Sequence, residues 1–71
     1  MDPMEFIKMY LKRAGMRGEV TRDTKVPPAL VHMLNVTLCF EYGCIIFVRD
    51  AQDTTVGELV DQITPPKEAQ H

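Results

Sequence analysis

Apolar residues are concentrated in the middle of the chain. Between Val26 and Val48, 16 of 23 residues are hydrophobic, and Glu41 is the only formally charged one. In a chain of 71 residues, such a stretch must form the core, a binding surface, or both. A small domain buries only about 60% of the surface that its unfolded chain exposes, so part of this stretch is expected to remain uncovered.

Helical spacing and end signals predict a first helix at residues 3–14. Asp2 can accept hydrogen bonds from the free N–H groups at its start, and Pro3 suits the first helical position. Gly15 can end the helix. One face of this helix carries apolar residues, which are Phe6, Ile7, Tyr10, Leu11 and Ala14.

A shorter helix is predicted at residues 55–63. Thr55 and Glu58 have the spacing of a capping box, in which each side chain bonds the backbone N–H of the other. Its apolar face comprises Val56, Leu59, Val60 and Ile63. Thr64 precedes two prolines, which stop a helix, and residues 64–71 are expected to form a frayed tail.

The middle of the apolar stretch allows two interpretations. Residues 28–42 can form a helix that begins at Pro28 and buries one face, with Val31, Leu34, Leu38 and Tyr42. Residues 35–49 can instead form a β-hairpin that turns at Tyr42–Gly43, because β-branched and aromatic residues are frequent there. The hairpin belongs to a different fold class, a ubiquitin-like or other small α+β module that binds partners by an exposed strand edge.

Charge and cysteine usage bound the class of protein. The net charge is −2, with +2 on residues 1–35 and −4 on residues 36–71. The basic residues are more typical of a solvated helix face and loop than of a nucleic-acid site. Cys39 and Cys44, in a chain with no signal peptide, are expected to be reduced in a cytoplasmic protein. Polar residues and prolines interrupt the apolar stretch, so no membrane span is expected.

The residue types do not point to catalysis. The chain has no serine, and neither cysteine lies at a metal-site spacing from His32 or from the other cysteine. No phosphate-binding glycine loop is present. We therefore expect a single domain, residues 1–71, that is not an enzyme and holds neither a metal nor a cofactor.

Three segments together resemble acyl carrier proteins. Val20-Thr21-Arg22-Asp23-Thr24 looks like the start of their first loop, and Glu41-Tyr42-Gly43-Cys44-Ile45 is similar to the end of their second helix. Asp53-Thr54-Thr55-Val56-Gly57-Glu58-Leu59-Val60-Asp61 resembles the start of their last helix. The resemblance covers residues 4–63 and favours the helical interpretation of residues 28–42. It implies an all-α fold, a small acyl-carrier-like bundle of three longer helices and one short helix at 49–52.

The chain departs from that family in two respects. The family attaches phosphopantetheine to a serine at the start of the second helix, and Pro28 lies near that position here. Proline has no nucleophilic side chain, so this chain is expected to carry no phosphopantetheine. The second helix of the family is acidic, whereas residues 26–40 contain no acidic residue. The expected function is therefore a non-catalytic, acyl-carrier-like interaction module.

The interface is predicted on the side of the second helix that faces away from the bundle. Ala29, Met33, Val36 and Phe40 lie at i, i+4, i+7 and i+11 on that side. A helix that is apolar on two sides is normally buried on two sides. We expect these residues to contact a protein partner or a second copy in a homodimer. An acyl chain bound without covalent attachment is the remaining alternative.

Overall fold

The computed structural model describes residues 2–63. Over this range the chain forms α1 (Pro3–Arg13), α2 (Pro28–Tyr42), a 3-10 turn (Ala51–Asp53) and α3 (Val56–Ile63). The all-α prediction of three longer helices and one short one is confirmed, with the short one a 3-10 turn. The predicted tail, residues 64–71, lies outside the described residues.

The hairpin interpretation is wrong. Residues 35–42 belong to α2, and the described residues contain no strand. Pro28 is the first residue of the helix, and Gly43 ends it in the left-handed conformation at φ 64°, donating its N–H to the Cys39 carbonyl at 2.9 Å. Helical burial outweighs the local β preference of the β-branched residues. An α+β module of the ubiquitin-like kind is therefore excluded for the described chain.

Capping side chains set the ends of the other elements. Asp2 accepts hydrogen bonds from the N–H groups of Met4 and Glu5 at 3.1 and 3.3 Å. Helix α1 ends at Arg13, one residue before the predicted end, with Ala14 as its C-cap. The short element begins at Ala51 rather than at 49, because residue 50 is extended and its carboxylate accepts from the Gln52 N–H at 2.9 Å.

The core lies where the three helices meet. One face of each helix contributes to it, at the helical spacing that the sequence predicts. Buried side chains of the loops close it between the helices. Its buried members are Ile7, Leu11, Val20, Val26, Val31, Leu34, Leu38, Ile46, Val56 and Leu59.

The loop between α1 and α2 is fastened to the start of α3 by backbone hydrogen bonds. The N–H of Val26 bonds the Thr54 carbonyl, and the N–H of Val56 bonds the Thr24 carbonyl, both at 2.9 Å. The N–H of Gly57 also bonds the carbonyl of residue 22 at 2.9 Å. These bonds satisfy polar groups that would otherwise be buried unpaired. They also fix where α2 begins relative to α3.

Two exposed ion pairs lie beside this junction. Arg22 bonds Asp61 at 2.8 Å, and Lys25 approaches Asp53 at 3.0 Å. The hydrogen bond from Arg22 lowers the pKa of Asp61, and that from Lys25 lowers the pKa of Asp53. Exposed pairs contribute little to stability because water and salt screen them. The backbone bonds, rather than these charges, are therefore the main fastening.

The left-handed residue at the end of α2 gives a testable prediction. We expect Gly43→Ala to lower the free energy of unfolding by about 1 kcal/mol, because a Cβ is strained at positive φ. Urea denaturation measures the change. Gly43→Asn is the matched control and should lose less, since asparagine tolerates this conformation better. Equal stability of the alanine variant and the wild type would contradict the assignment.

Candidate functional site

One side of α2 is left uncovered by the rest of the bundle. Phe40 is 87% exposed, Met33 57% and Val36 39%, and Ala29 is exposed as well. The structure thus brings the four residues predicted for the interface together on one side of the helix. This side, Ala29, Met33, Val36 and Phe40, is called the outer face. The core side chains of α2 are on the opposite side, where exposure is 2% or less.

The segment that follows α2 adds two large apolar side chains to the surface. Residues 44–48 have no regular secondary structure. Ile46 is buried, whereas Ile45 is 80% exposed and Phe47 is 79% exposed. This alternation is what an extended chain produces, since successive side chains point to opposite sides. The outward position of Ile45 and Phe47 is therefore a consequence of burying Ile46.

Side-chain amides hold this extended segment on both edges. Gln62 of α3 forms two hydrogen bonds with Phe47: its Oε1 accepts the Phe47 N–H at 2.8 Å, and its Nε2 donates to the Phe47 carbonyl at 2.9 Å. On the other edge, Asn35 Nδ2 donates to the Ile46 carbonyl at 3.4 Å. The segment consequently lies between α2 and α3, with its side-chain directions fixed.

A shallow groove adjoins the outer face. Its volume is about 270 Å³, and Asn35, Val36, Cys39 and Phe40 line it. Because Asn35 also bonds Ile46, the wall of the groove is next to the extended segment. The outer face and the two exposed residues of that segment are together called the apolar patch, which consists of Ala29, Met33, Val36, Phe40, Ile45 and Phe47.

The apolar patch itself contains no ionisable group, although Glu41 beside Phe40 is exposed. A larger group of charged side chains lies on α1. Glu5, Lys8, Lys12 and Arg13 line an open area of α1 together with Met9. This mixture of acidic and basic side chains does not support nucleic-acid binding.

Tyr42 ties the end of α2 to α1. Its ring meets that of Phe6 edge to face, with centroids 5.8 Å apart. Burial of the phenol raises the pKa of Tyr42, and the charge of Glu41 raises it further. Tyr42 thus belongs to the inner side of α2, as the helical spacing predicts.

Pro28, which lies near the expected serine position, is exposed in the first turn of α2. Cys39 is half-buried, and its thiol donates to Asn35 Oδ1 at 3.4 Å. Within residues 2–63, no group of three or more His, Cys, Asp and Glu side chains could hold a metal ion. No helix in this range has the length and hydropathy needed to cross a membrane.

Ile45 and Phe47 were not predicted as site residues. The sequence carries one signal for them, a run of five apolar residues after Gly43. In an extended segment only alternate side chains of such a run can be buried. The two hydrogen bonds between Gln62 and Phe47 are called the clamp. No local sequence pattern predicts the clamp, because the two residues are 15 positions apart in the chain.

Comparison with protein-family models, curated proteins and solved structures finds no match to this chain.

The clamp on the extended segment can be tested directly. We expect Gln62→Ala to increase the rate of amide hydrogen exchange at Phe47, because the substitution removes the acceptor of that N–H. Exchange in the core of α2 should be unchanged. NMR-detected exchange measures both.

The control is Gln52→Ala, which makes the same substitution on the 3-10 turn. It should leave the exchange of Phe47 as in the wild type. Equal protection of Phe47 in the Gln62 variant and the wild type would show that the clamp does not hold the segment.

Proposed function

We propose that the chain is a non-catalytic protein-interaction module of acyl-carrier-like type, and that the apolar patch is its interface. The observation that carries this proposal is the exposure of Phe40, Phe47 and Ile45, each at least 79%. Large exposed apolar side chains of this kind mark interaction sites in soluble proteins when they form a patch. Aromatic residues and methionine are also enriched at the centres of interfaces.

The size of the patch supports the same proposal. A phenylalanine buries about 150–250 Å² when it is fully covered, and an aliphatic side chain about 100 Å². With the exposures given above, the residues of the apolar patch leave about 500 Å² uncovered in total. That is within the range of the largest apolar patch on a typical monomer, about 300–600 Å², which is often functional.

The acyl-carrier part of the proposal rests on the three segments that resemble that family. Two of them are in contact: Arg22 and Thr24 in the loop after α1 bond Gly57 and Val56 at the start of α3. A Cβ on Gly57 would lie 3.1 Å from the Arg22 carbonyl oxygen, which is a tight contact, so the close approach favours glycine. Two of the three segments that carry the resemblance therefore contact each other in the fold, and this contact supports reading them together.

The departures from the acyl carrier family explain why the proposed function is not that of a carrier. Pro28, near the expected serine position, offers no hydroxyl for a phosphopantetheine ester. The first turn of α2 also has no acidic residue. Partners that recognise an acidic carrier helix would find an uncharged, apolar one here. The proposed interaction is consequently driven by apolar burial, with cytoplasmic proteins as the expected partners.

In-cell photocrosslinking tests the proposal. A benzophenone amino acid replaces Phe40, where it keeps the aromatic shape, and Lys12 on α1 is the matched control position. We expect protein adducts from position 40 and none from position 12. Adding Met33→Asp should reduce the yield at position 40, because a carboxylate in an apolar interface is costly to desolvate.

The adducts also discriminate the alternatives. A fatty-acyl mass on the crosslinked chain, instead of a protein, would support the non-covalent acyl-chain binder and contradict the proposal. Equal yields from positions 40 and 12 would contradict it as well, since the apolar patch would then have no preferred partner.

A further inference from the structure

We propose that Cys39 and Cys44 form a redox site, whose two thiols close reversibly to an intrachain disulfide by exchange with a small disulfide such as oxidised glutathione. The inference is independent of the proposed function. The structure describes the reduced state, in which both thiols are free and half-buried, and the chain has no other cysteine. Three features carry the proposal: the level of the two residues along α2, the direction of their side chains, and the way the helix ends.

The extended segment runs back along α2, so that Cys44 returns towards the level of Cys39. Asn35 Nδ2 donates to the Ile46 carbonyl at 3.4 Å, which places Ile46 beside the middle of the helix. The helix axis between Asn35 and Gly43 is about 12 Å long, and three extended residues from Gly43 to Ile46 cover about 10 Å. Cys44 therefore lies about 3 Å back from Gly43 along the axis and Cys39 about 6 Å back.

Both side chains point to the junction between the segment and α2. The Cys39 thiol donates to Asn35 Oδ1 at 3.4 Å, and the same amide group bonds the segment at Ile46. The Cys39 sulfur is therefore on the side of α2 that faces the segment. Alternate residues of an extended chain point the same way. Since Ile46 is buried and Ile45 exposed, Cys44 points inward with Ile46. Both cysteines accordingly pack against the core.

The way α2 ends pairs the same two positions. Gly43 is left-handed, and its N–H bonds the Cys39 carbonyl at 2.9 Å. With Gly43 as the first residue beyond the helix cap, Cys39 and Cys44 occupy the two positions whose side chains frequently contact each other at such an end. A disulfide needs two Cα atoms within about 7 Å and Cβ atoms that converge. Neighbouring residues at a helix end can meet this condition without unfolding the helix.

The chemistry is two steps of thiol–disulfide exchange. Cys39 lines the shallow groove, so a small disulfide can reach its sulfur from water. Its thiol loses a proton, and the thiolate attacks one sulfur of oxidised glutathione and releases one glutathione thiolate. The Cys44 thiolate then attacks the Cys39 sulfur of this mixed disulfide, and the second glutathione leaves. The two cysteines lose one electron each, and the two glutathiones take up both electrons and both protons.

The disulfide changes the wall of the shallow groove. In the reduced state the Cys39 thiol donates to Asn35 Oδ1, and the new bond removes that hydrogen. Asn35 then loses one partner, while the segment becomes covalently tied to α2 at Cys44. In reducing compartments disulfides are usually transient, and redox sensing is one of their roles. The oxidation state of these two thiols would therefore alter the surface next to the outer face.

A glutathione redox titration tests the proposal. The full chain is equilibrated with mixtures of reduced and oxidised glutathione, quenched with acid, alkylated with iodoacetamide and weighed by mass spectrometry. We expect oxidised chains to lose two hydrogen atoms, to take up no alkyl group, and to remain single chains at every chain concentration. Cys44→Ala should instead accumulate the mixed disulfide of Cys39 with glutathione, because no second thiol can release it.

The matched control moves one thiol by a single residue. Cys44→Ala with Ile45→Cys places it on the side of the segment that points to water, where Ile45 is 80% exposed. We expect at least about tenfold less intrachain disulfide in the same glutathione mixture, because the Cβ atoms then point apart. Circular dichroism checks that each variant remains helical. Equal disulfide in this variant and the wild type would overturn the proposal. A wild type that forms only mixed disulfides or crosslinked dimers would overturn it as well.

Discussion

Helix α2 carries more apolar surface than a bundle of three short helices can cover. Its inner side packs Val31, Leu34 and Leu38 into the core, and each fully buried side chain of this kind contributes about 1.5–3 kcal/mol. The outer face obtains no such burial from residues 2–63. The sequence thus satisfies the fold with one side of α2, and the proposed interaction uses the opposite side of the same helix.

Polar bonds decide which apolar residues of the following segment join the patch. An irregular segment must find partners for its backbone groups, and Gln62 supplies them for Phe47, at 2.8 and 2.9 Å. The clamp fixes the segment so that Ile46 points inward and Phe47 outward. The backbone groups of the loop after α1 are also paired, in this case by hydrogen bonds to the backbone at the start of α3. Both non-helical connections are thereby ordered without a sheet.

Local signals account for what the sequence could predict. Pro28 and Gly43 mark the two ends of α2, and helical spacing separates its inner and outer faces. The spacing of apolar residues alone does not decide whether residues 35–42 form a helix or a hairpin, because Val36 and Thr37 also suit strands. The burial of one face of α2 in the core favours the helix. The bonds of Gln62 join residues far apart in the chain and leave no local pattern. The exposure of Phe47 could therefore not be foreseen, although the outer face could.

NMR with a soluble paramagnetic probe tests the central claim most directly, because the two sides of α2 are assigned opposite roles. The probe broadens the signals of side chains that water reaches and spares those in the core. The account predicts strong broadening for Met33 and Phe40 on the outer face and little for Val31 and Leu34 on the inner side. Equal broadening on both sides, or protection of Phe40, would contradict the account.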